Sequence, residues 1–264
     1  MPFLDDGDSD EKGVRNARLH AELIFNSFQT SHLLTGTVKE KFDPPKGEWH
    51  SFGHDLAPSF YWSDKGEEAS VNNLNRTLRD LFARHRNEEV DMDYKEMVRQ
   101  MIMGRFAYYS TTTQVQHFEA KDSSNKIVKG ANLIGIMPGL NYHHATDSIL
   151  VVGAHYDTTP LSPGVDDNGS GMAALLEAVR ILSPKMGELN NTIMFVAFDQ
   201  EEKGCLGSMA FVNQYLIPRE LKKYNSSFTG AFILDMILNY DPTANIQRLP
   251  RDMRRVSTEP LRYV

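Results

Sequence analysis

From about residue 111 onward, the sequence alternates short apolar runs with turns, and this alternation restricts the possible folds more than any other feature. Apolar runs of this length, bounded by turn residues, predict β-strands, several of them buried on both faces. The predicted strands are TQVQHFEA, ANLIGIMPG, SILVVGAH, TIMFVAFD and GAFILDMI. Between the third and fourth runs lies a helical stripe, opened by Gly169 and Ser170 and formed by Met172, Leu175, Leu176, Val179 and Leu182.

The stretch from Ser208 to about Tyr215 predicts a further helix before the last strand. Strands that alternate with helices predict an α/β fold, a mostly parallel mixed sheet flanked by helices. In such a sheet, the loops at the carboxyl ends of neighbouring strands converge, and the functional site lies among them. The residues that end or follow each apolar run are therefore the candidates for chemistry.

The chain before the sheet carries two helical stripes, each with apolar residues spaced as on one face of a helix. The first consists of Val71, Leu74, Leu78, Leu81 and Phe82, and the second of Tyr94, Met97, Val98, Met101 and Ile102. We divide the chain into a poorly defined N-terminal segment, 1–70, which contains a surface loop, and an α/β domain, 71–264. This domain has a helical lead-in and a core at 113–241.

Composition excludes several classes of protein. The 28 basic and 35 acidic residues give a net charge of -7, which argues against a nucleic-acid partner. No apolar run approaches the roughly 20 residues of a membrane helix, and the acidic start is unlike a signal peptide. Cys205 is the only cysteine, so internal disulfides are excluded, and we interpret it as a small packing residue.

One histidine and four carboxylates end or follow the apolar runs and should meet at one sheet edge. They are His155, Asp167, Glu201, Glu202 and Asp235. Imidazole nitrogen and carboxylate oxygen suit Zn²⁺, and a catalytic site keeps one position open for water. A carboxylate shared by two ions would hold them about 3.5–4 Å apart, which suits attack by a bridging hydroxide.

Other residues in these motifs refine the prediction. Asp157 follows His155 by two positions and can hold its other ring nitrogen. In VDDN, either Asp166 or Asp167 can bridge two ions, and either can cap the following helix. Asp235 interrupts the run AFILDMIL, where a charge inside a buried strand costs several kcal/mol unless it is paired or binds a metal.

Four motifs together resemble the di-zinc exopeptidases, a family that includes secreted bacterial leucyl aminopeptidases, glutamate carboxypeptidase and the single-zinc glutaminyl cyclases. The motifs are VVGAHYDTTP, SPGVDDNGSG, AFDQEEKGCLGS and FILDMILNYD, and the resemblance covers about 113–241. It implies a three-layer zinc exopeptidase-like fold. It also implies hydrolysis of a terminal bond in a peptide or dipeptide by metal-activated water, with two zinc ions.

The resemblance assigns a role to each residue. It makes His155 a ligand of one zinc, Asp167 the bridging ligand, Asp235 the second carboxylate on the His155 metal, Glu202 a ligand of the other zinc, and Glu201 the general base. We group Asp157, as the partner of the histidine, with the general base among the catalytic residues. The resemblance also implies a secreted or secretory-pathway protein, with which the sequons at Asn75, Asn168, Asn190 and Asn225 are compatible.

The sequence departs from the family in one respect. Family members carry a further metal-binding histidine well after the LDM strand, and no histidine follows Asp235 here. We therefore expect a chain truncated at its C-terminus, in which one zinc is weakly bound or absent. Two alternatives are an inactive, receptor-type binding protein and a single-zinc glutaminyl cyclase-like acyltransferase, although the intact HYD element argues against the cyclase. The sequence distinguishes neither aminopeptidase from carboxypeptidase nor one oligomeric state from another.

Overall fold

A computed structural model of the chain describes residues 68–110 and 112–239. Nearly all of the predicted N-terminal segment 1–70 lies outside the described residues, as do its histidines and the tail from residue 240 onward. The predictions made for those parts of the chain stay predictions.

Two helices precede the sheet where the apolar stripes predict them. Helix α1 spans Val71–Leu81 and helix α2 spans Met92–Tyr109. Each begins at a residue whose side chain caps the first turn: Ser70 Oγ accepts a hydrogen bond from Asn73 N, and Asp91 Oδ1 accepts one from Tyr94 N. Among the described helices, none combines the length and the apolarity needed to cross a bilayer.

All five predicted strands are present and form one sheet. They are β1 Thr112–Lys121, β2 Ile127–Met137, β3 Ser148–His155, β4 Ile193–Phe198 and β5 Ser227–Ile233, in the spatial order β1-β2-β4-β3-β5. Strand β3 runs parallel to both β4 and β5, whereas β1 and β2 pair antiparallel and β2 pairs antiparallel to β4. The fold is thus α/β with a mixed sheet, as expected.

Helices cover both faces of the sheet and give three layers. Helix α3, Gly171–Leu182, follows β3 and an irregular helical turn, Val165–Ser170, and a short 3₁₀ turn, Ser183–Lys185, follows it. Together with α1 and α2, α3 encloses the larger apolar core on one face of the sheet. After β4, helix α4, Leu206–Ala210, continues as a π-helical segment, Phe211–Lys222, which packs on the other face.

Strand β5 departs from the prediction of a buried strand. It pairs with β3 along one side, and most of its residues are exposed, with Ile233 59% exposed. Asp235 lies two residues beyond the end of β5, and its side chain is 55% exposed. The prediction that Asp235 interrupts a buried strand is therefore wrong. Because its charge is not buried in a strand, burial does not require a metal or an ion partner for it.

Candidate metal centre

The carboxyl ends of the three parallel strands meet at one edge of the sheet. His155 is the last residue of β3, Glu201 and Glu202 follow β4, and Asp235 follows β5. Asp167 lies in the irregular turn that precedes α3. The topology therefore gathers all five predicted ligand and base residues around this edge, as parallel strands require.

The His155 imidazole lies at the centre of the cluster. Its Nε2 atom is 3.1 Å from Asp167 Oδ1, 3.7 Å from Asp235 Oδ1 and 3.9 Å from Glu201 Oε2. One ligand atom from each of His155, Asp167 and Asp235 lies within 4.8 Å of the other two, an arrangement that can hold a metal ion. Glu202 is not part of this group of three, although it follows Glu201 directly.

Asp157 is buried and connects β3 to the turn that carries the two glutamates. Its Oδ1 atom lies 3.5 Å from His155 Nδ1, the ring nitrogen on the opposite side from the carboxylates of Asp167, Glu201 and Asp235. The same carboxylate accepts hydrogen bonds from the backbone N–H of Glu201 at 3.0 Å and of Glu202 at 3.2 Å. The sequence predicted the contact with the histidine but not the two backbone contacts.

The charges in the cluster shift the pKa of two groups. Burial alone would lower the pKa of His155, but the carboxylates of Asp157, Glu201 and Asp167 raise it to about 9. Burial raises the pKa of Glu202 to about 7, and the Asp167 carboxylate adds to this while His155 partly opposes it. The excess of negative charge raises the pKa of His155, whereas burial is the main cause of the Glu202 shift and the negative charge adds to it. A donor set of one imidazole and several crowded carboxylates fits a divalent cation such as Zn²⁺.

The structure separates the two aspartates that the sequence left open. Asp167 faces His155, whereas Asp166 Oδ1 accepts hydrogen bonds from Ser170 Oγ at 3.0 Å and from Leu238 N at 2.9 Å. Asp166 therefore fixes the segment that follows Asp235, and Asp167 is the one that the structure brings to the histidine.

Asn168 is a buried residue that the ligand prediction did not include. Its Nδ2 atom donates to Leu234 O at 2.8 Å, and its Oδ1 atom accepts from Gly171 N at 2.9 Å. This side chain joins the start of α3 to the residue directly before Asp235. The sequence carried a weak signal in its run of Asp, Asn and Ser residues, which readily bond to the backbone. Because Asn168 is fully buried, its sequon is inaccessible.

Cys205 is exposed, so its interpretation as a packing residue is wrong. Its Sγ atom donates a hydrogen bond to Glu201 Oε1 at 3.3 Å, and this bond together with burial raises the pKa of the thiol. The Glu201 side chain is 37% exposed. The thiol therefore occupies one oxygen of this carboxylate, and the other oxygen faces His155.

None of the other described histidines belongs to the group of candidate metal ligands. His143 and His144 are in the turn that enters β3, at the opposite end of the strand, as predicted, and the His143 ring stacks on Tyr224 with centroids 3.8 Å apart. His117 lies in β1, and His85 lies between α1 and α2.

Arg86 supports the loop between His155 and Asp167, a role that the sequence analysis missed. The side chain is fully buried. Its guanidinium donates to the carbonyl oxygens of Tyr156 at 2.8 Å, Pro163 at 2.9 Å and Gly164 at 2.7 Å, and also to those of Phe82 and Arg84. No periodicity marks this residue, because its partners are backbone atoms distant in sequence.

A buried ion network lies beneath the site. Asp199 ends the β4 run, and its carboxylate lies 2.8 Å from Lys95 Nζ and 2.6 Å from an Arg99 guanidinium nitrogen. Arg99 Nε also donates to the Tyr156 hydroxyl at 2.7 Å. Helix α2 is thereby linked to both β3 and β4. The signal for Asp199 was its place at the end of a buried run, where an unpaired charge is costly.

Comparisons with known proteins show what the chain is similar to. Residues 132–260 match the family model described as peptidase family M28. The chain is 42% identical over 106 residues to Aminopeptidase YwaD of Bacillus subtilis (strain 168), which is 40% of this chain and 21% of that protein. It is 38% identical over 96 residues to Leucine aminopeptidase 1 of Leptosphaeria maculans, which is 32% of this chain and 24% of that protein.

Among solved structures, a glutaminyl cyclase of Porphyromonas gingivalis is similar with a TM-score of 0.52 and 22% identity, over 64% of this chain and 59% of that one. At this identity the likeness shows a shared fold alone. The aligned part of the chain spans about a fifth to a quarter of the length of the two curated relatives.

Proposed function

We propose that the chain, whose residues 132–260 match the model of peptidase family M28, is a zinc-dependent exopeptidase that hydrolyses a terminal peptide bond. The observation that carries this proposal is the His155 imidazole, whose Nε2 atom faces three carboxylates at 3.1 to 3.9 Å. The resemblance to the zinc exopeptidases that the sequence motifs predicted is confirmed over the matched stretch.

His155, Asp167 and Asp235 would hold one zinc ion. We assign Asp167 and Glu202 to a second ion from the motif resemblance alone. When bound, zinc supplies a Lewis acid for the scissile carbonyl and lowers the pKa of a water molecule to about 7. The Asp157 carboxylate lies 3.5 Å from His155 Nδ1 and would orient the ring when His155 binds the metal, as carboxylates behind a ligating histidine do.

Glu201 would act as the general base. Its Oε1 atom is occupied by the Cys205 thiol, so Oε2, which faces His155, is the oxygen that receives a proton from the attacking water. The same atom then returns the proton to the amine of the leaving residue. Because Asp157 accepts from the backbone N–H of both Glu201 and Glu202, the base and the neighbouring ligand occupy a fixed turn.

We infer aminopeptidase specificity. The two curated relatives that the chain resembles are both named aminopeptidases. A glutaminyl cyclase-like acyl transfer is the weaker alternative, because His155 lies at the centre of the carboxylate cluster, and a single-zinc cyclase would not need that histidine as a ligand.

The experiment measures zinc content and hydrolysis on the full chain. After zinc loading and desalting, we expect bound zinc by mass spectrometry, and release of p-nitroaniline from aminoacyl p-nitroanilides but not from the N-acetylated forms. Glu201→Gln should keep the zinc and lose about 10²-fold or more in kcat. Glu119→Gln, which alters an exposed carboxylate on β1 paired with Lys129, is the control and should behave as wild type. A chain that binds no zinc, or whose hydrolysis survives Glu201→Gln, would refute the proposal.

A further inference from the structure

Glu88 lies in the connection between α1 and α2, and its carboxylate reaches the turn that carries the two glutamates. Its Oε1 atom accepts hydrogen bonds from Lys203 Nζ and from Gln200 Nε2, the latter at 3.1 Å. Gln200 comes directly before Glu201, and Lys203 directly after Glu202. One carboxylate oxygen therefore contacts both ends of the turn.

The turn is thus held from two sides. On the sheet side, Asp157 accepts from the backbone N–H of Glu201 and Glu202. On the helical side, Glu88 binds the two flanking side chains. We propose that Glu88 is a positioning residue that fixes the turn formed by residues 200–203, and its consequence for turnover rests on the proposed function.

Glu88 is itself anchored by a buried cation. Its Oε2 atom accepts a hydrogen bond from Lys95 Nζ at 2.8 Å, and the same ammonium lies 2.8 Å from the Asp199 carboxylate. Lys95 and Asp199 are fully buried. Burial alone would raise the pKa of Glu88, but the Lys95 charge and the hydrogen bond from Lys203 lower it well below its usual range. The carboxylate is therefore charged, and its position is set by helix α2 rather than by the solvent.

The turn requires such support because its backbone is strained at its first residue. Gln200 has φ 57, a left-handed conformation that side chains other than glycine rarely adopt. Its amide donates to Glu88 Oε1 and also lies 3.2 Å from the carbonyl oxygen of Lys129. The hydrogen bonds of this side chain hold the residue in a conformation that it would otherwise leave.

Hydrogen exchange on the metal-free full chain tests the inference without reference to activity. Glu88→Gln keeps the shape of the side chain but places an amide NH₂ group against two ammonium groups. We expect exchange in peptides that cover residues 199–206 to rise about 10-fold, whereas exchange at residues 151–157 stays unchanged. Glu89→Gln is the matched control, because it removes the same charge one residue along, where the carboxylate is more exposed and 3.6 Å from Lys203 Nζ.

Lys203→Met removes the ammonium group that binds Glu88 and leaves the ion pairs of Lys95 intact. We expect the same rise in exchange at residues 199–206, so this variant tests the positioning role if Glu88→Gln does not fold. If exchange at residues 199–206 matches wild type in the folded variant, or rises equally in Glu89→Gln, the positioning role is wrong.

If the wild-type chain hydrolyses substrate, steady-state kinetics give a second test of the positioning role. A displaced base should lower kcat by about 10- to 100-fold while KM stays within about two-fold, because substrate binding does not depend on the proton transfer. Lys203→Arg keeps the cation, so its kcat should be close to that of the wild type and well above that of Lys203→Met. A wild-type chain without turnover would refute the proposed function, and the exchange result would then decide the role of Glu88 by itself.

Discussion

At the scale of single residues, the Asp157 carboxylate contacts both a predicted metal ligand and the turn that carries the proposed base. It faces His155 Nδ1 and accepts the backbone N–H of Glu201 and Glu202, so it relates β3 to the turn after β4. Asp157, two positions after the predicted ligand His155, therefore lies between that ligand and the turn that carries the proposed base. Such supporting groups influence a metal site nearly as much as the ligands themselves.

Asp157→Asn should weaken zinc binding. An amide offers one acceptor oxygen in place of two and brings an NH₂ group toward a backbone N–H, so the His155 ring and the turn both lose support. We expect the dissociation constant for zinc, measured by competition with a chelating dye, to rise by about 10- to 100-fold.

Asp147→Asn is the matched control for this change. Asp147 is a buried aspartate at the opposite end of β3, where it accepts from Thr192 N and Thr192 Oγ1. Its amide variant should lower the free energy of unfolding but leave zinc binding unchanged. If both variants lost zinc affinity equally, removal of any buried aspartate charge would disturb the site, and the specific role of Asp157 would be wrong.

The ligand set could be predicted residue by residue because each member ends or follows an apolar strand. The local pattern does not separate Asp166 from Asp167, because the two residues are adjacent, and the choice of Asp167 came from the resemblance. In the structure Asp167 faces His155 and Asp166 contacts Leu238. Arg86 and Asn168 escaped prediction, because their partners are backbone atoms about 70 residues away.

At the scale of elements, the connection between α1 and α2 supports the site through Arg86. Its donors meet the carbonyl oxygens of Tyr156, Pro163 and Gly164, which belong to the loop leading from His155 to Asp167. Burial lowers the pKa of Arg86 to about 10, and the nearby carboxylates of the site partly oppose this.

Arg86→Lys should destabilise the fold strongly. A single ammonium group cannot reach all of these carbonyl oxygens, and each buried carbonyl left without a donor costs about 1–3 kcal/mol. We expect the free energy of unfolding in urea to fall by at least about 3 kcal/mol. Arg84→Lys, at an exposed ion pair with Asp91, should change it by less than about 1 kcal/mol. Similar values for both would contradict this account.

Gly171 sits where the start of α3 approaches the segment that carries Asp235. A β-carbon at this position would overlap Asn168 Oδ1 and Leu234 O. Gly171→Ala should therefore lower the free energy of unfolding by about 1–3 kcal/mol and also weaken zinc binding, because the two segments must separate.

Gly135→Ala provides the comparison for Gly171. It creates an overlap with the Phe106 side chain, away from the site, and should lower stability while zinc affinity stays as in wild type. Calorimetry and zinc titration on both variants measure the difference. A Gly171→Ala chain with normal zinc affinity would show that the position of Asp235 tolerates a shift of this helix.

Helices α1, α2 and α3 and all five strands could be predicted, because their apolar spacing is set locally. The exposure of β5 could not be predicted. Its sequence GAFILDMI has the composition of a buried strand, but burial depends on what lies beside the strand, and its outer edge has no neighbour among the described residues.

At the scale of the whole molecule, the ion network joins the helical layer to the sheet. Lys95 and Arg99 on α2 pair with Asp199 after β4, and Glu88 extends the network to Lys203. Removal of one member leaves a partner buried without compensation, which is costly. The network therefore makes the stability of the whole domain dependent on pH.

Glu88 should contribute to unfolding in acid. Because its folded-state pKa lies below the ordinary 4.5, its charged form stabilises the fold above about pH 4.5, and this contribution is lost as the pH falls below that value. We expect the difference in unfolding free energy between wild type and Glu88→Gln to be largest near pH 7 and to shrink toward pH 3. Urea titrations of the metal-free chain measure it, and a difference independent of pH would contradict this prediction.

The supports at Arg86 and Glu88 lie upstream of residue 132, where the match to the peptidase family begins. A recombinant fragment trimmed to that match would retain every acid that surrounds His155 but lose the guanidinium and the carboxylate that shape the two loops. It would also strip two helices from one apolar face of the sheet and invite aggregation. Expression clones for crystallisation should accordingly start before Val71.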